Sequence, residues 1–465
     1  MRQNEASWAR DTFGKAQLGD RRRVERLVAM AAGVACRPKG TVTAALTTSA
    51  EQEGAFRLLE NENVSATMVQ RAAFDSTARG CEKARLIYVP VDQTSLSLGD
   101  RAERRELGRV GSDEYGARGL QTMTALAVDD GGDVIGVLEQ RWWARDGEKR
   151  VRDARQGQCI NGRHLERETR FWLETIQASE ERLADHGGAK AWYQMDRGAD
   201  CWPLFEKAIE ENLLVTVRAT HNRRVVVPGA TRGERHYLKQ ELERQRIVSR
   251  YEVLVPRKGK RPRTARIALR ACKVTISALV GKNRRQSFEM HAVMARETQR
   301  RPDRNCWVLL TTHAIDSRSQ VEAVVAGYAL RWRIEDFHRA WKRGHCNVES
   351  SQLHSRSALV KWATILATVA ARAQRLAQLF RSAPDLPAST EFTEHEIDAC
   401  YILTKTKRDR RRTPTIGDVL RLVAELGGFG NRYYGGKMPG PTILGRGLDY
   451  LEPMARGLRN MDKMR

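Results

Sequence analysis

The sequence has no CxxC pair, no uninterrupted apolar run of membrane length and no low-complexity tract. Its eight cysteines lack the spacing of zinc ligands, so we expect reduced thiols rather than a metal scaffold or a disulfide framework. The most apolar stretch, 358–380, contains Lys361, Arg372 and Arg375, which favours a buried helix over a membrane span. The first residues, MRQNEASWARD, are too polar for a signal peptide. These absences predict a cytoplasmic protein with no membrane partner.

Acidic residues are also in short supply relative to basic ones. The chain has 57 Asp and Glu against 81 Lys and Arg, which gives a formal net charge of +24. Such an excess attracts polyanions, and the planar fork of arginine suits phosphate. Composition therefore favours nucleic acid as the partner. Hydrophobic residues make up 41% of the 465 residues, enough for folded cores in two to four compact units.

Residues 1–75 are predicted to form a helical unit. The segment LGDRRRVERLVAMAAGVA places an aspartate at a helix start, followed by apolar residues at helical spacing, with Arg22 and Arg23 near its head. SAEQEGAFRLLEN predicts a second helix that starts with Ser49. The arginine cluster is either a solvated face or a DNA contact, and the charge of the whole chain favours DNA.

From residue 76 to about 360 the pattern changes to strands alternating with helices. Apolar, β-branched runs predict one strand that ends on Asp92 and another that ends on Asp196. Between them, two further strands are predicted at 120–129 and 134–143, joined by a hairpin. A helical pattern covers 164–186. Three strands, a helix and a fourth strand form the opening order of a ribonuclease-H-like mixed sheet.

The remaining segments complete a predicted α/β, more broadly α+β multidomain, architecture. LLVTVRA at 213–219 predicts another strand, and the basic stretch 220–305 predicts a β-rich insertion that contains RKGKRPR. WVLLTT at 307–312 predicts that the chain returns to the core of the catalytic domain after the insertion. From 365 to 465 the pattern is helical again, with glycine-rich turns between 427 and 447.

The segment YALRWRIEDFHRAWK, from Tyr328 to Lys342, is predicted as one helix with two distinct stripes. At about 100° per residue, the core stripe consists of Leu330, Ile334, Phe337 and Trp341. The second stripe consists of Tyr328, Arg331, Glu335, His338 and Lys342. Because Arg331 and Glu335 are i,i+4 partners, this stripe could be an ordinary exposed, salt-bridged face. It also suits phosphoryl transfer, in which carboxylates hold metal ions while cations and a phenol grip phosphates.

Asp92 and Asp196 would complete a carboxylate cage with Glu335. Each aspartate alone is typical of a turn at a strand end. Together, three carboxylates can hold two divalent ions per active site, and oxygen ligands suit Mg²⁺ or Mn²⁺. The sequence thus predicts a metal-dependent enzyme acting on DNA.

These motifs resemble the DDE transposases of bacterial cut-and-paste insertion sequences, in the subgroup with a Tyr-Arg-Glu-Lys helix signature. The matching helix residues are Tyr328, Arg331, Glu335 and Lys342. Asp92 lies in VDQTSLS, and Asp196 opens DRGAD, in which Gly198 replaces the glutamate of the family's DREAD-type motif. Further similar segments are LGDRRR, QEGAFRLLENENVSA, ELGRVGS, RWRIEDFHRAWK and LGGF.

The resemblance implies a bacterial enzyme, associated with the nucleoid when bound to DNA. Its relatives bind transposon ends through the N-terminal domain, dimerise through C-terminal helices, cleave through a hairpin and join 3′ ends to target DNA. By position, the expected DNA contacts are Tyr328, Arg331, Lys342, His338, Arg218, Arg22 and Arg23. Trp307 matches a tryptophan that stacks on a flipped base. By itself it could equally be a core residue at a strand start.

Two alternative functions remain open on sequence alone. One is a catalytically silent DNA-binding protein, either an inhibitor or a domesticated relative. The presence of all three carboxylates argues against it. The other is a ribonuclease-H-like DNA nuclease or resolvase that recognises DNA structure. The Tyr-Arg-Glu-Lys face and the separate basic helix favour the transposase.

Overall fold

A single mixed β-sheet, flanked by helices, runs through the centre of the computed structural model. The structure describes residues 5–463 except 101–104, 112–116, 146–167, 227–234, 258–259, 281–283, 300, 302–303 and 431–438. Part of the basic segment RKGKRPR and the start of the predicted helix at 164 therefore lie outside the described residues.

Helices form the N-terminal part of the chain, as predicted. They are α1 (Glu5–Phe13), α2 (Arg21–Cys36), α3 (Val42–Ala45), α4 (Ser49–Leu59) and α5 (Ala66–Cys81). The Asp20 side chain caps α2 by accepting a hydrogen bond from the Arg22 amide, and Thr48 with Glu51 forms a capping box at α4. Local hydrogen bonds to otherwise unpaired amides thus define both predicted helix starts.

The first strands have the predicted ribonuclease-H-like order. They are β1 (Leu86–Leu98), β2 (Gly108–Arg109), β3 (Arg118–Val128), β4 (Val134–Trp143), β5 (Lys190–Met195) and β6 (Leu214–Arg218). β4 pairs with β3 and β3 with β1, both antiparallel, while β5 lies parallel to β1 and β6 parallel to β5. The helix α6 (Arg170–Asp185) connects β4 to β5, and α7 (Trp202–Glu210) connects β5 to β6.

Two predicted boundaries in this region are wrong. β1 does not end on Asp92: residues 92–98 continue to pair with β3, so the aspartate lies within a longer strand. The segment from Tyr328 to Lys342 is two helices, α9 (Arg318–Leu330) and α10 (Trp332–Lys342), rather than one. At their junction the amides of Arg331 and Ile334 donate to carbonyls three residues back, which tightens the turn.

The insertion extends the central sheet. It contains β7 (Arg224–Val226), β8 (His236–Tyr237), α8 (Leu238–Arg244), β9 (Ser249–Arg257), β10 (Lys260–Val280) and β11 (Arg284–Glu297). β12 (Cys306–Thr311) pairs with β6 on one side and β11 on the other. The predicted return strand therefore joins the insertion to the ribonuclease-H-like strands.

The C-terminal part is helical, with α11 (Arg356–Ser382), α12 (Glu394–Leu403), α13 (Ile416–Leu426) and α14 (Pro441–Lys463). α11 is continuous across the predicted domain boundary at 360–365. α14 begins inside the segment predicted as glycine-rich turns, so that expectation is wrong from residue 441 onward. None of the described helices is long and apolar enough to cross a membrane.

Three of the hydrophobic cores among the described residues surround the sheet and the C-terminal helices. One joins α1, α2, α4 and α5 to α10, α11 and one face of the sheet. A second packs α6 and α7 on the opposite face. A third holds α12–α14 against the end of α11. Since α10 belongs to the first core, its polar edge is fixed beside β1.

Candidate active site

Asp92 and Asp196 lie next to each other on two neighbouring parallel strands, Asp92 within β1 and Asp196 directly after the end of β5. β1 and β5 pair in a register that sets Val91 opposite Met195, and each aspartate is the next residue. Parallel strands lie about 4.8 Å apart in this direction, so the two backbones present their carboxylates side by side. The Asp196 side chain also accepts a hydrogen bond of 2.7 Å from the Gly198 amide, which fixes one of its oxygens.

Glu335 reaches the same region from α10. The neighbouring core residues Ile334, Phe337 and Trp341 are fully buried, as the helical stripe predicted. This burial leaves Glu335 on the helix edge, with its side chain 38% exposed. Arg331 connects it to the first aspartate: its Nη2 donates to Glu335 Oε1 at 3.2 Å, and its Nη1 lies 3.9 Å from Asp92 Oδ2.

Asp92 has an electrostatic environment that disfavours its charged form. Burial, then the charge of Asp196, raises the pKa of Asp92 to about 7; Arg331 opposes this rise and Glu335 adds to it. A buried carboxylate beside a second carboxylate suits a divalent cation, because Mg²⁺ and Mn²⁺ prefer carboxylate oxygens as ligands. Within the described ranges no group of three His, Cys, Asp or Glu side chains has a metal-binding arrangement. In the structure the guanidinium of Arg331 lies between Asp92 and Glu335.

Tyr328, Trp307 and Arg218 lie together beyond these carboxylates. The Tyr328 ring is 4% exposed and meets Trp307 edge-on at 5.1 Å between ring centroids. Burial raises the pKa of Tyr328, while the charges of Arg331 and Arg218 lower it and that of Asp196 raises it. The phenol is therefore close to both the predicted metal ligands and the predicted phosphate contacts.

Trp307 is half-buried and lines a cavity of about 490 Å³. Most of the other wall residues come from β9, β10, β11 and α9, and include Tyr251, Ile267 and Val325. One side of the indole thus packs against Tyr328, and the tryptophan also borders an open apolar space. The structure favours neither a fully enclosed core residue nor a solvated one.

Lys342 and His338 have different environments although both belong to the predicted stripe. Lys342 Nζ donates to Thr94 Oγ1 at 3.1 Å, two residues beyond Asp92 on β1. His338 is 7% exposed, and burial lowers its pKa to about 3, so the ring is neutral at physiological pH. The structure brings Lys342 to β1, the strand that carries Asp92, and places His338 in the interior.

Arg22 and Arg23 lie in the first turn of α2. The Arg22 side chain is 93% exposed and pairs with Asp20 at 3.1 Å. Arg23 Nη1 donates to the Leu18 carbonyl at 3.0 Å. The predicted end-binding arginines are thus anchored on the N-terminal helices.

Trp332 and Glu349 were not identified from the sequence. Trp332 is 59% exposed directly after Arg331, whose guanidinium lies 5.9 Å from its ring centroid. Glu349 accepts a hydrogen bond from the Ser97 amide on β1 at 3.0 Å. An exposed aromatic within a helical motif could have been noted, but the contact of Glu349 is between residues 252 positions apart.

Three protein-family models match consecutive parts of the chain. A transposase DNA-binding model matches residues 5–64, a transposase DDE domain model matches 173–371, and a Tn5 transposase dimerisation model matches 368–463. The DDE match includes Asp196 and Glu335 but begins after Asp92, so the case for Asp92 depends on the strand register. The order of the matches agrees with helical ends around a mixed sheet. The chain belongs to the DDE transposases, enzymes that act on DNA, and its two ends match a transposase DNA-binding domain and the Tn5 transposase dimerisation domain.

Proposed function

We propose that this transposase binds transposon ends and cleaves them by two-metal phosphoryl transfer at Asp92, Asp196 and Glu335. The observation that carries the proposal is the register of β1 and β5, which sets the two aspartates side by side next to α10. Two bound Mg²⁺ or Mn²⁺ ions would activate water or a 3′-hydroxyl and stabilise the leaving oxygen. The three carboxylates would hold these ions.

Arg331 has two successive roles in this proposal. In the DNA-free protein its guanidinium pairs with Glu335 and lies 3.9 Å from Asp92, and its Nη1 has no hydrogen-bond partner among the described residues. A DNA phosphate offers that nitrogen a charged acceptor, since arginine favours planar, bidentate phosphate contacts. Arg331 then grips the strand and leaves the carboxylates free for their metal-binding role.

Lys342 and Tyr328 would hold the same DNA strand on either side of the carboxylates. Lys342 is fixed above Thr94, where an ammonium can pair with a phosphate adjoining the carboxylates. Tyr328 and Arg218 lie on the Trp307 side of the site. Arg22 and Arg23 would contact the transposon end away from the cut, at the positively polarised N-terminus of α2.

The cavity beside Trp307 supports cleavage through a hairpin. A strand that bends back on itself must unstack a base, and an aromatic face offsets part of that cost. Trp307 presents such a face to an apolar space of about 490 Å³. The base-stacking role is therefore proposed for Trp307 rather than a purely structural one.

The proposed functional division follows the sequence. Residues 1–75 bind ends, 76–360 form the catalytic domain with the insertion at 220–305, and 365–465 form the homodimer contact. Freed 3′ ends are then joined to target DNA. We also propose a cytoplasmic location, at the nucleoid when DNA is bound.

Selection of DNA from a random pool by the full chain tests this function, because the selected DNA itself reveals the end sequence. A transposase enriches a defined sequence and cleaves beside it when Mg²⁺ is present and not when the metal is chelated. Competition by random or branched DNA as strong as by the selected sequence would favour a nuclease or resolvase. Enrichment without cleavage would favour a catalytically silent DNA-binding relative.

A further inference from the structure

Glu349 is a buried carboxylate between α10 and the strand that carries Asp92. It lies in a short turn, Val348–Ser350, and its side chain is 9% exposed. Its Oε1 accepts a hydrogen bond from the Ser97 amide at 3.0 Å, and its Oε2 accepts one from Arg343 Nε at 2.7 Å. The same Oε1 lies 3.8 Å from Lys342 Nζ. A buried carboxylate with these partners has both a backbone contact and a charge contact.

These contacts connect Glu349 to the active site through Lys342. Thr94, which receives the Lys342 hydrogen bond, is two residues beyond Asp92. Residues i and i+2 of a strand point to the same face, so Lys342 lies on the face of β1 that carries Asp92. Glu349 meets the same strand three residues further along, at Ser97.

The charge of Glu349 also compensates the cost of burying Lys342. Burial lowers the pKa of the Lys342 ammonium, and the charge of Glu349 raises it. A half-buried lysine without such a partner would turn toward another carboxylate or toward solvent. Asp92 and Glu335 are the carboxylates on which the proposed chemistry depends.

We propose that Glu349 is a positioning residue that holds the Lys342 ammonium over Thr94, where this cation meets a DNA phosphate next to Asp92. This inference rests on the proposed phosphate-binding role of Lys342. Glu349 itself touches neither DNA nor metal. It acts by attracting the ammonium and by fastening the segment after α10 to β1.

Glu349→Gln separates the charge from the backbone contact, because the amide oxygen of glutamine can still accept from Ser97. The experiment measures single-turnover cleavage of the selected end DNA by wild-type protein, Glu349→Gln, Lys342→Met and the double variant. End affinity and thermal melting are recorded for each. Asp336→Asn is the matched control, since Asp336 lies on α10 and pairs with Arg339 rather than with the site.

We expect Glu349→Gln to slow cleavage by about tenfold, the size of a lost charge-assisted contact, with little change in end affinity or melting. Lys342→Met should also slow cleavage, and the double variant should be no slower than Lys342→Met. Asp336→Asn should cleave at the wild-type rate. If Glu349→Gln fails to fold, Glu349→Asp is used instead. Its shorter side chain keeps the negative charge but moves it away from the Lys342 ammonium, so it should slow cleavage with the same dependence on Lys342.

Two results would overturn the inference alone. In the first, Lys342→Met slows cleavage but Glu349→Gln cleaves at the wild-type rate. The other is a double variant slowed by the product of the two single effects, which would show that Glu349 acts independently of Lys342. If Lys342→Met cleaves normally, the proposed role of Lys342 fails first, and the positioning role fails with it.

Discussion

Arg331 lies between two of the three carboxylates that we propose as metal ligands. Its guanidinium nitrogens are 3.2 Å from Glu335 Oε1 and 3.9 Å from Asp92 Oδ2. At such distances a unit charge interacts with another by about 4 kcal/mol at an effective dielectric constant near 20. In the proposed mechanism a divalent ion therefore competes with this guanidinium until a DNA phosphate provides another partner for Arg331.

Arg331→Met should raise the affinity of the DNA-free protein for Mn²⁺ by about tenfold or more, because it removes this competitor. Binding is measured from the free Mn²⁺ signal in electron paramagnetic resonance, which does not depend on cleavage. Lys342→Met is the control, since it removes an equal charge that pairs with Thr94 and Glu349 instead. An equal gain in Mn²⁺ affinity in both variants, or no gain in Arg331→Met, would contradict competition between Arg331 and the metal ion.

Trp307→Ala should accumulate nicked DNA, form little hairpin and still fold. Stacking of a flipped base is worth about 1–3 kcal/mol, and the first nick does not need it. A core tryptophan would instead cost about 3–5 kcal/mol of stability and slow both steps together. Trp202→Ala provides that comparison, because Trp202 is 6% exposed and stacks on Phe288. Nick and hairpin yields, measured beside a thermal melt, separate the two cases.

The elements of the site differ in how far the sequence determines them. The grouping of Tyr328, Arg331, Glu335 and Lys342 follows from helical spacing, and the α2 start follows from Asp20. The break at Arg331 and the burial of His338 depend on tertiary packing, in which α10 lies against β1 and α11. Sequence periodicity holds no information about such distant partners.

Strand ends show the same limit. Apolar, β-branched residues predict β1 as far as Asp92, but its continuation to Leu98 is maintained by pairing with β3. By contrast Asp196 directly follows the last residue of β5, where a short turn begins. The parallel register that aligns the two aspartates could not be predicted, because it pairs two strands that are far apart in the sequence.

α2 is the element on which the end-binding proposal is tested. Replacing Arg22 with Gln should weaken end binding and reduce the slope of log affinity against log salt by about one, as for one lost phosphate contact. Arg421→Gln is the control on α13, where the side chain is also largely exposed, at 70%. An unchanged slope in Arg22→Gln would assign the α2 arginines to ordinary solvated surface.

In the whole molecule, the N-terminal helices and the catalytic helix share one core. α11 contributes most directly: Lys361, 1% exposed, donates to the carbonyls of Leu59 and Asn61 at the end of α4. Trp362 on the same helix donates to the Gly40 carbonyl at 2.6 Å. The net charge of +24 predicted a nucleic-acid partner, but composition could not predict that the N-terminal helices pack directly on α11 and share a core with α10.

The most direct test of a three-carboxylate active site is cleavage of the selected end DNA by Asp92→Ala, Asp196→Ala and Glu335→Ala in Mg²⁺. Asp336→Ala serves as the control, since this acid is the immediate neighbour of Glu335 and pairs with Arg339. Each of the three variants should lose cleavage by about a thousandfold or more and keep near-wild-type end binding, while the control cleaves normally. Near-wild-type cleavage by any one of the three would contradict its assignment as a metal ligand.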